Sequence, residues 1–381
     1  MDVIIYTHSD ALEIIKPVWQ NWQNQPNNDY EQFLLICRIR QEVHYPWVMV
    51  AYEDGSPCAL LAGRVETTNV APPLGYLKLV PVFVKNLTLL HHGFLGRQDE
   101  SVANFFISSL KDWLQRVDVK TVQFPFLAED SPLKKVLQER VSFWECEKGM
   151  LPKLHWRGIL PPLEEPLLMH LKSKSRSTIR RRERAFNAAF SGRLTWQWLT
   201  TFTDIPTLCH ELENLASKTY QRGLGVGFRN DVEHCLRYQL YADKGLLRVA
   251  LLKLDDELIG FVIGIRYQDA LFIIELGYDR RYKDYSPGIN LMLWMMERLR
   301  EEGVVLMDWG KGGAQYKSQL GNVPCSEQSF WLFKATPPIL MLRVAFGGII
   351  RFERVARFLL NKMQLTDRVK SRWRQSIRES L

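Results

Sequence analysis

Residues 275–290, with the sequence ELGYDRRYKDYSPGIN, decide the fold. An apolar strand pattern runs into a basic loop, and the loop ends at Ser286, Pro287 and Gly288 just before an apolar helical pattern. Serine is a good helix N-cap, and proline suits the first helical position because no amide donor is needed there. Glycine lets a ligand approach the backbone closely. The stretch therefore predicts a strand–loop–helix unit whose helix N-terminus faces a ligand.

The start of this helix is a candidate anion site. First-turn amides and the helix dipole together attract a negative group such as a pyrophosphate, and basic side chains lie just upstream. The simpler alternative is a capped helix after a surface loop, in which the Ser286 side chain occupies one of the amide donors. The predicted binding residues are Arg280, Arg281, Lys283, Ser286, Gly288, Ile289 and Asn290.

The same order of elements occurs twice along the chain. In each half a hairpin turn, at 53–55 and again at 255–256, is followed by a strand, an amphipathic helix and another strand. The helices are expected at 101–117 and 289–302. This pattern predicts an α+β fold made of two tandem units, each a mixed sheet flanked by helices.

The domain limits follow from two adjacent prolines and from the distribution of charge. Pro161 and Pro162 interrupt the pattern and predict a boundary there. We expect an N-terminal domain at 1–165, a C-terminal domain at 166–336 and a basic helical tail at 337–381.

Composition places the chain among ordinary globular proteins. It has 381 residues, of which 46% are apolar and 24% charged, which excludes a disordered chain, a collagen and a coiled-coil rod. Its six cysteines form no CxxC pair and predict free thiols in a reducing compartment. No basic segment precedes an apolar run at the N-terminus, so no signal peptide is expected. The predicted location is cytoplasmic, with peripheral contact to the inner membrane surface as an option.

The positive charge is concentrated in two segments. Residues 167–193 contain eight Lys and Arg and one Glu, and residues 337–381 contain ten Lys and Arg and three acidic residues, although the whole chain carries only +8. The first segment favours either a domain-bridging helix with a solvated basic face or contact with phosphates. The second favours either a helix packed on the body or one lying on an anionic membrane.

Several motifs together resemble a known family. YSPG at 285–288, MDWGKGG at 307–313, YKSQLG at 316–321 and the basic KSKSRSTIRRR at 172–182 resemble the C-terminal half of CelD-like acyltransferases of the GNAT superfamily. These are similar to tandem-GNAT transferases of the FemAB type. The resemblance covers about residues 165–335, and the first half resembles the family in fold pattern alone.

This resemblance implies an acyl-CoA donor, such as acetyl-CoA, bound along splayed strands with its pyrophosphate on the helix that starts at Ser286. The family's usual pyrophosphate motif, Gln/Arg-x-x-Gly-x-Gly/Ala, is replaced here by KDYSPG at 283–288. FemAB-type relatives use an aminoacyl-tRNA donor, which is the alternative. An amine, a hydroxyl, or a cell-envelope or polysaccharide precursor is the expected acceptor.

Acyl transfer from a thioester requires a base for the acceptor and a donor for the tetrahedral oxyanion. Glu275 is a candidate base, on the strand face expected to carry Leu271 and Ile273, and Asp308 is a second candidate where a strand enters a glycine loop. Tyr316 and Lys317 match the family's Tyr-Lys pair. The Lys317 ammonium is expected either to polarise the thioester carbonyl or to hold an acidic group of the acceptor, and the Tyr316 hydroxyl is expected to protonate the leaving thiolate.

No metal site is expected. His91 and His92 are the closest histidines, and adjacent strand residues point to opposite faces. From a different functional class, the basic segments also allow a non-catalytic nucleic-acid-binding protein on a transferase fold. Apart from tRNA in the FemAB-like alternative, no nucleic-acid partner is expected for the enzyme.

Overall fold

The computed structural model describes residues 1–72, 80–219, 222 and 227–362. These residues form two compact units. Unit 1 contains Met1–Lys153 and 326–362, and unit 2 contains Leu154–Cys325. The predicted domain limits at 165/166 and 336/337 stay a prediction, and packing divides the described chain after Lys153 and after Cys325.

The strands follow one another in chain order as β1 Asp2–Tyr6, β2 Val43–Glu53, β3 Ser56–Asn69, β4 Phe83–Gly96, β5 Thr121–Ala128, β6 Cys146–Glu147, β7 Lys153–Ile159, β8 Leu194–Leu199, β9 Leu247–Leu254, β10 Glu257–Tyr267, β11 Ala270–Tyr278, β12 Leu306–Lys311 and β13 Val323–Phe333. The helices are α1 Ser9–Leu12, α2 Lys16–Trp22, α3 Tyr30–Ile39, α4 Glu100–Arg116, α5 Pro132–Arg140, α6 Ser173–Ala189, α7 Ile205–Ala216, α8 Val232–Asp243, α9 Pro287–Glu301, α10 Gln315–Leu320 and α11 Pro337–Lys362. Short 3-10 helices occupy Pro26–Asn28 and Arg280–Tyr285.

Each unit has the same plan. In unit 1 the strands lie in the order β1-β2-β3-β4-β5-β13, and in unit 2 in the order β7-β12-β11-β10-β9-β8. A hairpin, β2-β3 or β9-β10, leads to a strand, a crossover helix and a strand that runs parallel to the previous one. Parallel neighbours need such a crossover, which here is α4 in unit 1 and α9 in unit 2. The predicted α+β fold with two tandem units is confirmed.

The crossover helices form because their apolar residues recur at helical spacing and find a sheet to cover. In α4, Val102, Phe106 and Leu110 are completely buried, and in α9 the buried face includes Leu291 and Met295. Burying each such side chain stabilises the fold by about 1.5–3 kcal/mol before the entropic cost of ordering it.

The C-terminal helix α11 packs within unit 1. Its Phe346 and Ile350 are buried in a cluster with Trp331 and Phe333 of β13. One face of the first part of the basic tail is therefore packed on unit 1, which leaves membrane contact to its opposite face. Residues 363–381 of that predicted tail lie outside the described residues. No helix in the described part of the chain has both the length and the apolar character to cross a bilayer.

Candidate active site

A cavity opens in unit 2 where two central strands separate. β11 and β12 pair through three residues each, Ala270 with Leu306 to Phe272 with Asp308. Beyond that point each strand has a bulge. Ile274 is an extra residue in β11 relative to its antiparallel neighbour β10, and Trp309 is an extra residue in β12 relative to its antiparallel neighbour β7. Such bulges bend and twist a strand. The cavity there has a volume of about 950 Å³, which is the size of a cofactor site.

Most of the residues predicted from the sequence line this cavity. Residues of the β11 and β12 strands, the start of α9, the short helix α10 and one side chain of α6 surround it. The predicted residues found in its wall are Glu275, Lys283, Ser286, Gly288, Ile289, Tyr316 and Lys317. The structure does not place Arg280, Arg281, Asn290 and Asp308 in that wall.

The start of α9 differs from the expectation in its donor set. Ser286 has a left-handed backbone, with φ 54° and ψ 49°, and its side chain makes no capping hydrogen bond. Its carbonyl instead accepts from the amides of Ile289 at 3.0 Å and Asn290 at 3.2 Å. Because Pro287 has no amide hydrogen, Gly288 supplies the first-turn amide that has no acceptor among the described residues.

The basic side chains upstream of the helix divide into two groups. Lys283 lines the cavity. Arg280 is exposed, and Arg281 is held away by hydrogen bonds to Asp279 at 2.6 Å and Glu257 at 2.5 Å. Burial opposes ionisation of Asp279, but its bonds with Arg281 hold the pKa of that carboxyl below its usual value. Arg281 therefore fixes the loop, and its predicted part in binding the anion stays a prediction.

A cation that the sequence analysis did not select completes the cavity wall. Arg182 projects from α6, whose Ile179 and Phe186 are buried. Since Arg182 stands three residues after Ile179 and four before Phe186, helical spacing places it on the same face of α6 as these two residues, where its exposed side chain lines the cavity. Phe186 lies 6.4 Å from the Tyr285 ring, which holds α6 against the loop before α9. That spacing is the signal in the sequence that distinguishes Arg182 from the neighbouring arginines.

Lys317 is half-buried at the base of the β12 loop. Its Nζ donates to the carbonyl of Lys311 at 2.7 Å and lies 5.9 Å from the Tyr316 ring centroid. Burial lowers the pKa of Lys317, and the nearby Asp308 carboxylate partly offsets this effect. Gly310, with φ 70°, keeps the backbone beside the ammonium open. The ammonium is therefore positioned and poorly hydrated, as an oxyanion donor should be.

Asp308 is placed to support the loop. It is 6% exposed, and its carboxylate lies 2.6 Å from His155 Nε2, 3.4 Å from Arg157 Nε and 2.9 Å from the Gly310 amide. Burial raises the pKa of Asp308, but these three contacts lower it further than burial raises it. The contact with His155 has the largest lowering effect, and the pKa of Asp308 lies below its usual value. The side chain stays charged and positions the glycine loop. Its predicted role as a base remains untested, and this placement favours Glu275.

Glu275 lies on the opposite face from the one expected. Leu271, Ile273 and Leu276 pack in one apolar cluster of unit 2, whereas Ile274 packs in the other. The bulge at Ile274 interrupts the two-residue alternation, so Glu275 faces α8, where His234 Nε2 lies 3.7 Å from its carboxylate.

His234 is a second residue that sequence reasoning missed. Its Nδ1 lies 2.8 Å from Asp231, so the ring stands between two carboxylates. Glu275 raises the pKa of His234, Asp231 adds to this, and burial opposes it. A histidine of α8 is far from Glu275 in sequence, and no local pattern links them.

Comparison with known proteins concerns the domain and the fold. Residues 173–318 match the family model of the acetyltransferase (GNAT) domain. Two solved structures share the fold: FemX, 10% identical, with a TM-score of 0.60 over 90% of this chain and all of that chain, and a conserved protein of unknown function from Bacteroides thetaiotaomicron, 11% identical, with a TM-score of 0.51 over 87% and 100%. No curated protein matches the sequence. The GNAT domain is therefore supported for residues 173–318, and every cavity-lining residue except Gln319 lies in that stretch.

Proposed function

We propose that unit 2 transfers an acyl group, in the first instance acetyl, from acyl-CoA to an amine or hydroxyl acceptor. The observation that carries the proposal is the cavity between the diverging β11 and β12, which lies in the stretch matching the acetyltransferase domain. Four cationic side chains and one carboxylate line it, so its wall suits a polyanionic donor. The four cations are Arg182, Lys283, Lys311 and Lys317.

The donor fits this wall in one direction. Its pyrophosphate is proposed to lie against the Gly288 amide, between Lys283 and Arg182, because that end combines a helix N-terminus with two charges. The thioester then extends along β11 and β12 toward Lys317. The sequence resemblance to CelD-like enzymes implies the same orientation of the donor, with its pyrophosphate at the start of α9.

The chemistry requires three groups. The Glu275 carboxylate removes the proton from the acceptor nitrogen or oxygen as that atom attacks the thioester carbonyl. The carbonyl oxygen becomes an oxyanion, which the Lys317 ammonium stabilises. When the carbon–sulfur bond breaks, the Tyr316 hydroxyl supplies the proton to the thiolate. The acceptor is left acylated and the donor leaves as free CoA.

An aminoacyl-tRNA donor is the second candidate, because exposed arginines of α6 lie beside the cavity. Arg180, Arg181 and Arg184 are exposed on the helix that also supplies Arg182. Phosphate contacts of this kind give affinity that falls steeply with salt. Binding of tRNA without binding of CoA, and with a steep salt slope, would support this candidate over the first. Salt-dependent binding of duplex DNA, unaffected by CoA, would instead support a non-catalytic nucleic-acid-binding function.

The test of the first candidate is a thermal-shift screen of CoA thioesters. A ligand at about 100 times its dissociation constant stabilises the native state by roughly 2.7 kcal/mol. We expect acetyl-CoA or a related thioester to raise the midpoint in this way. Absence of a shift with every thioester and with free CoA would place the donor outside this class.

Gly288→Asp is expected to weaken CoA binding by about 30-fold or more. A carboxylate beside the pyrophosphate is a like-charge juxtaposition, which costs several kcal/mol. A Cβ at this position meets Tyr278 Cδ1 at 3.2 Å, so Gly288→Ala is the steric control and should have a small effect. Calorimetric titration measures both. Equal affinities for Gly288→Asp and the wild type would show that the pyrophosphate binds elsewhere.

We also propose that α11 contacts an anionic membrane surface from the cytoplasmic side. Opposite its buried face, α11 exposes an apolar stripe at Met341, Val344, Phe352, Val355 and Leu359. Its exposed cationic residues are Arg351, Arg354, Arg357 and Lys362, whereas the one Glu of the helix, Glu353, is buried. An apolar stripe flanked by positive charge suits the headgroup region of such a membrane.

Flotation with vesicles tests this contact. Because the buried face of α11 belongs to the core of unit 1, the test uses point variants on the exposed face. The double variant Phe352→Asp/Val355→Asp is expected to lose binding to phosphatidylglycerol vesicles that the wild type shows. Val232→Asp, at an apolar side chain 70% exposed on α8, is the matched control and should leave binding unchanged. Equal flotation of the double variant and the wild type would contradict the proposal.

A further inference from the structure

Three side chains meet in unit 1 at the place that corresponds to Glu275 in unit 2. β4 and β5 run parallel through three pairs, the last being Thr88 with Gln123. His91 stands three residues beyond Thr88, as Glu275 stands three residues beyond Phe272, the last paired residue of β11. His91 and His92 face Glu327 of β13. The histidines therefore lie in unit 1 where the parallel strands stop pairing.

The distances among these side chains are those of ligands around one ion. His91 Nε2 is 3.3 Å from Glu327 Oε2, and His92 Nε2 is 3.9 Å from Glu327 Oε1. One ligand atom from each residue lies within 4.8 Å of the others. Nitrogen and oxygen ligands about 2.0–2.2 Å from a tetrahedral zinc ion are about 3.3–3.6 Å apart. Small side-chain adjustments bring all three atoms onto such an ion.

Adjacent histidines converge because the strand alternation fails at this point. His92 has a left-handed backbone, with φ 57°, and the His91 and His92 ring centroids are 4.0 Å apart. The expectation that neighbouring strand residues point apart is therefore wrong here. The completely buried Asn28 holds the bend by donating from Nδ2 to the His92 carbonyl at 3.1 Å.

A second backbone outlier lies beside the cluster. Phe126 has φ 53°, which is unusual for a bulky residue, and its ring packs edge-on at 5.9 Å from His91. Backbone strain of this kind persists where the surrounding structure imposes it, often at ligand sites. Two left-handed residues, His92 on β4 and Phe126 on β5, thus lie within or beside the cluster of three side chains.

Burial and charge favour a cation at this position. The Glu327 side chain is 1% exposed, so its carboxylate faces the two imidazoles away from bulk water. The His91 and His92 side chains are 11% and 29% exposed, so the histidine side of the cluster is open to solvent. Asn27 Nδ2 lies 3.4 Å from His91 Nδ1, and reversing the amide would offer its oxygen to an Nδ1–H.

We propose that unit 1 binds one divalent transition-metal ion of the zinc class through His91, His92 and Glu327. Two imidazole nitrogens and one carboxylate oxygen suit this class, and three protein ligands leave at least one position for water or a ligand. Unit 1 is then a metal-binding unit with the same plan as the acyl-transfer unit.

The test is Co²⁺ titration of the full chain after treatment with a chelator, followed by displacement with Zn²⁺. The wild type is expected to bind one Co²⁺ per chain with visible ligand-field bands and no thiolate charge-transfer band, which excludes its cysteines as ligands. His92→Asn is the main variant, because asparagine tolerates a left-handed backbone. It should weaken binding by more than about 100-fold, since loss of a ligand exceeds the 10–100-fold effect of losing a ligand's hydrogen-bond partner.

Two further variants make the result specific. Glu327→Gln keeps the shape of the buried side chain and should weaken binding to the same degree. His44→Asn removes an exposed histidine, 2.8 Å from the Thr67 hydroxyl, and should change nothing. Circular dichroism confirms that each variant is folded. Absence of Co²⁺ binding by the wild type, or equal binding by His92→Asn and wild type, would overturn the proposal in favour of a plain histidine–glutamate ion pair.

Discussion

Replacing Arg343 with methionine is expected to lower the free energy of unfolding of unit 1 by about 3–5 kcal/mol. Arg343 and Glu147 form an ion pair in which the two side chains are 1% and 0% exposed, with Nη1 and Oε2 3.2 Å apart. Arg343 also donates to the Cys146 carbonyl at 3.1 Å and lies 4.1 Å from the Phe143 ring centroid. Removal of the cation leaves a buried carboxylate without its counter-charge.

A double variant separates the pair from general damage to the core. Replacing both Glu147 and Arg343 with methionine removes the unpaired charge, and buried pairs replaced by apolar residues are often neutral in stability. We therefore expect Glu147→Met/Arg343→Met to recover most of the loss. Urea unfolding followed by fluorescence and circular dichroism measures all three proteins. A double variant no more stable than Arg343→Met would contradict the assignment.

Two adjacent glycines of α11 provide an internal control. A Cβ on Gly347 would clash with Glu147 Oε2 and lie 2.7 Å from Arg343 Nη1, whereas one on Gly348 meets no atom within 4 Å. Gly347→Ala should therefore be destabilising because it displaces the same pair. Gly348→Ala should instead add about 1 kcal/mol through helix propensity alone.

The tandem fold could be predicted because its signals are local. Helices expected at 101–117 and 289–302 are observed at Glu100–Arg116 and Pro287–Glu301, since apolar periodicity and end signals both lie within a few turns. The hairpin turns are marked by positive φ at Asp54 and Asp255. Both halves show the same order because each uses the same local patterns.

The partners of β13 and α11 could not be predicted in this way. β13 pairs with β5 across roughly 200 residues of sequence, and α11 depends on Glu147, which has no signature of its own. The same holds for the site. Residues of the 275–290 stretch and the Tyr316–Lys317 pair were found, whereas His234 and His155 are brought in by tertiary packing. Bulges at Ile274 and Trp309 and the left-handed Ser286 decide side-chain directions without changing the hydrophobic pattern.

Lys317→Met is expected to lower acyl-transfer turnover by 10²–10³-fold, or about 3–4 kcal/mol in the activation barrier. Methionine keeps the apolar stem of the side chain and removes the ammonium. The lysine is half-buried and bonded to the Lys311 carbonyl, so its charge needs little reorganisation when the oxyanion forms. The donor's pyrophosphate is proposed to bind at Gly288 instead, so the affinity for CoA should change little.

The pH dependence of turnover gives a second signature. Burial lowers the pKa of Lys317 from the ordinary lysine value of 10.5. The ammonium is the active form, so wild-type turnover should fall as the pH rises through this lowered pKa. Lys317→Met has no ammonium to lose, and its alkaline limb should be flat in the same range. Lys317→Arg should shift that limb upward, because a guanidinium stays protonated.

Lys311→Met is the matched control, since Lys311 lines the same cavity from the same loop. If the cavity acts only through its total positive charge, both methionine variants should weaken donor binding and slow turnover alike. If Lys317 acts on the oxyanion, its loss should reduce kcat with KM for the donor nearly constant, and Lys311→Met should mainly raise KM. Release of free thiol from acetyl-CoA, with and without added amines, provides the readout. If Lys317→Met turns over as fast as the wild type, Tyr316 and Lys317 have a packing role only. Another group must then stabilise the oxyanion while Glu275 acts as the base.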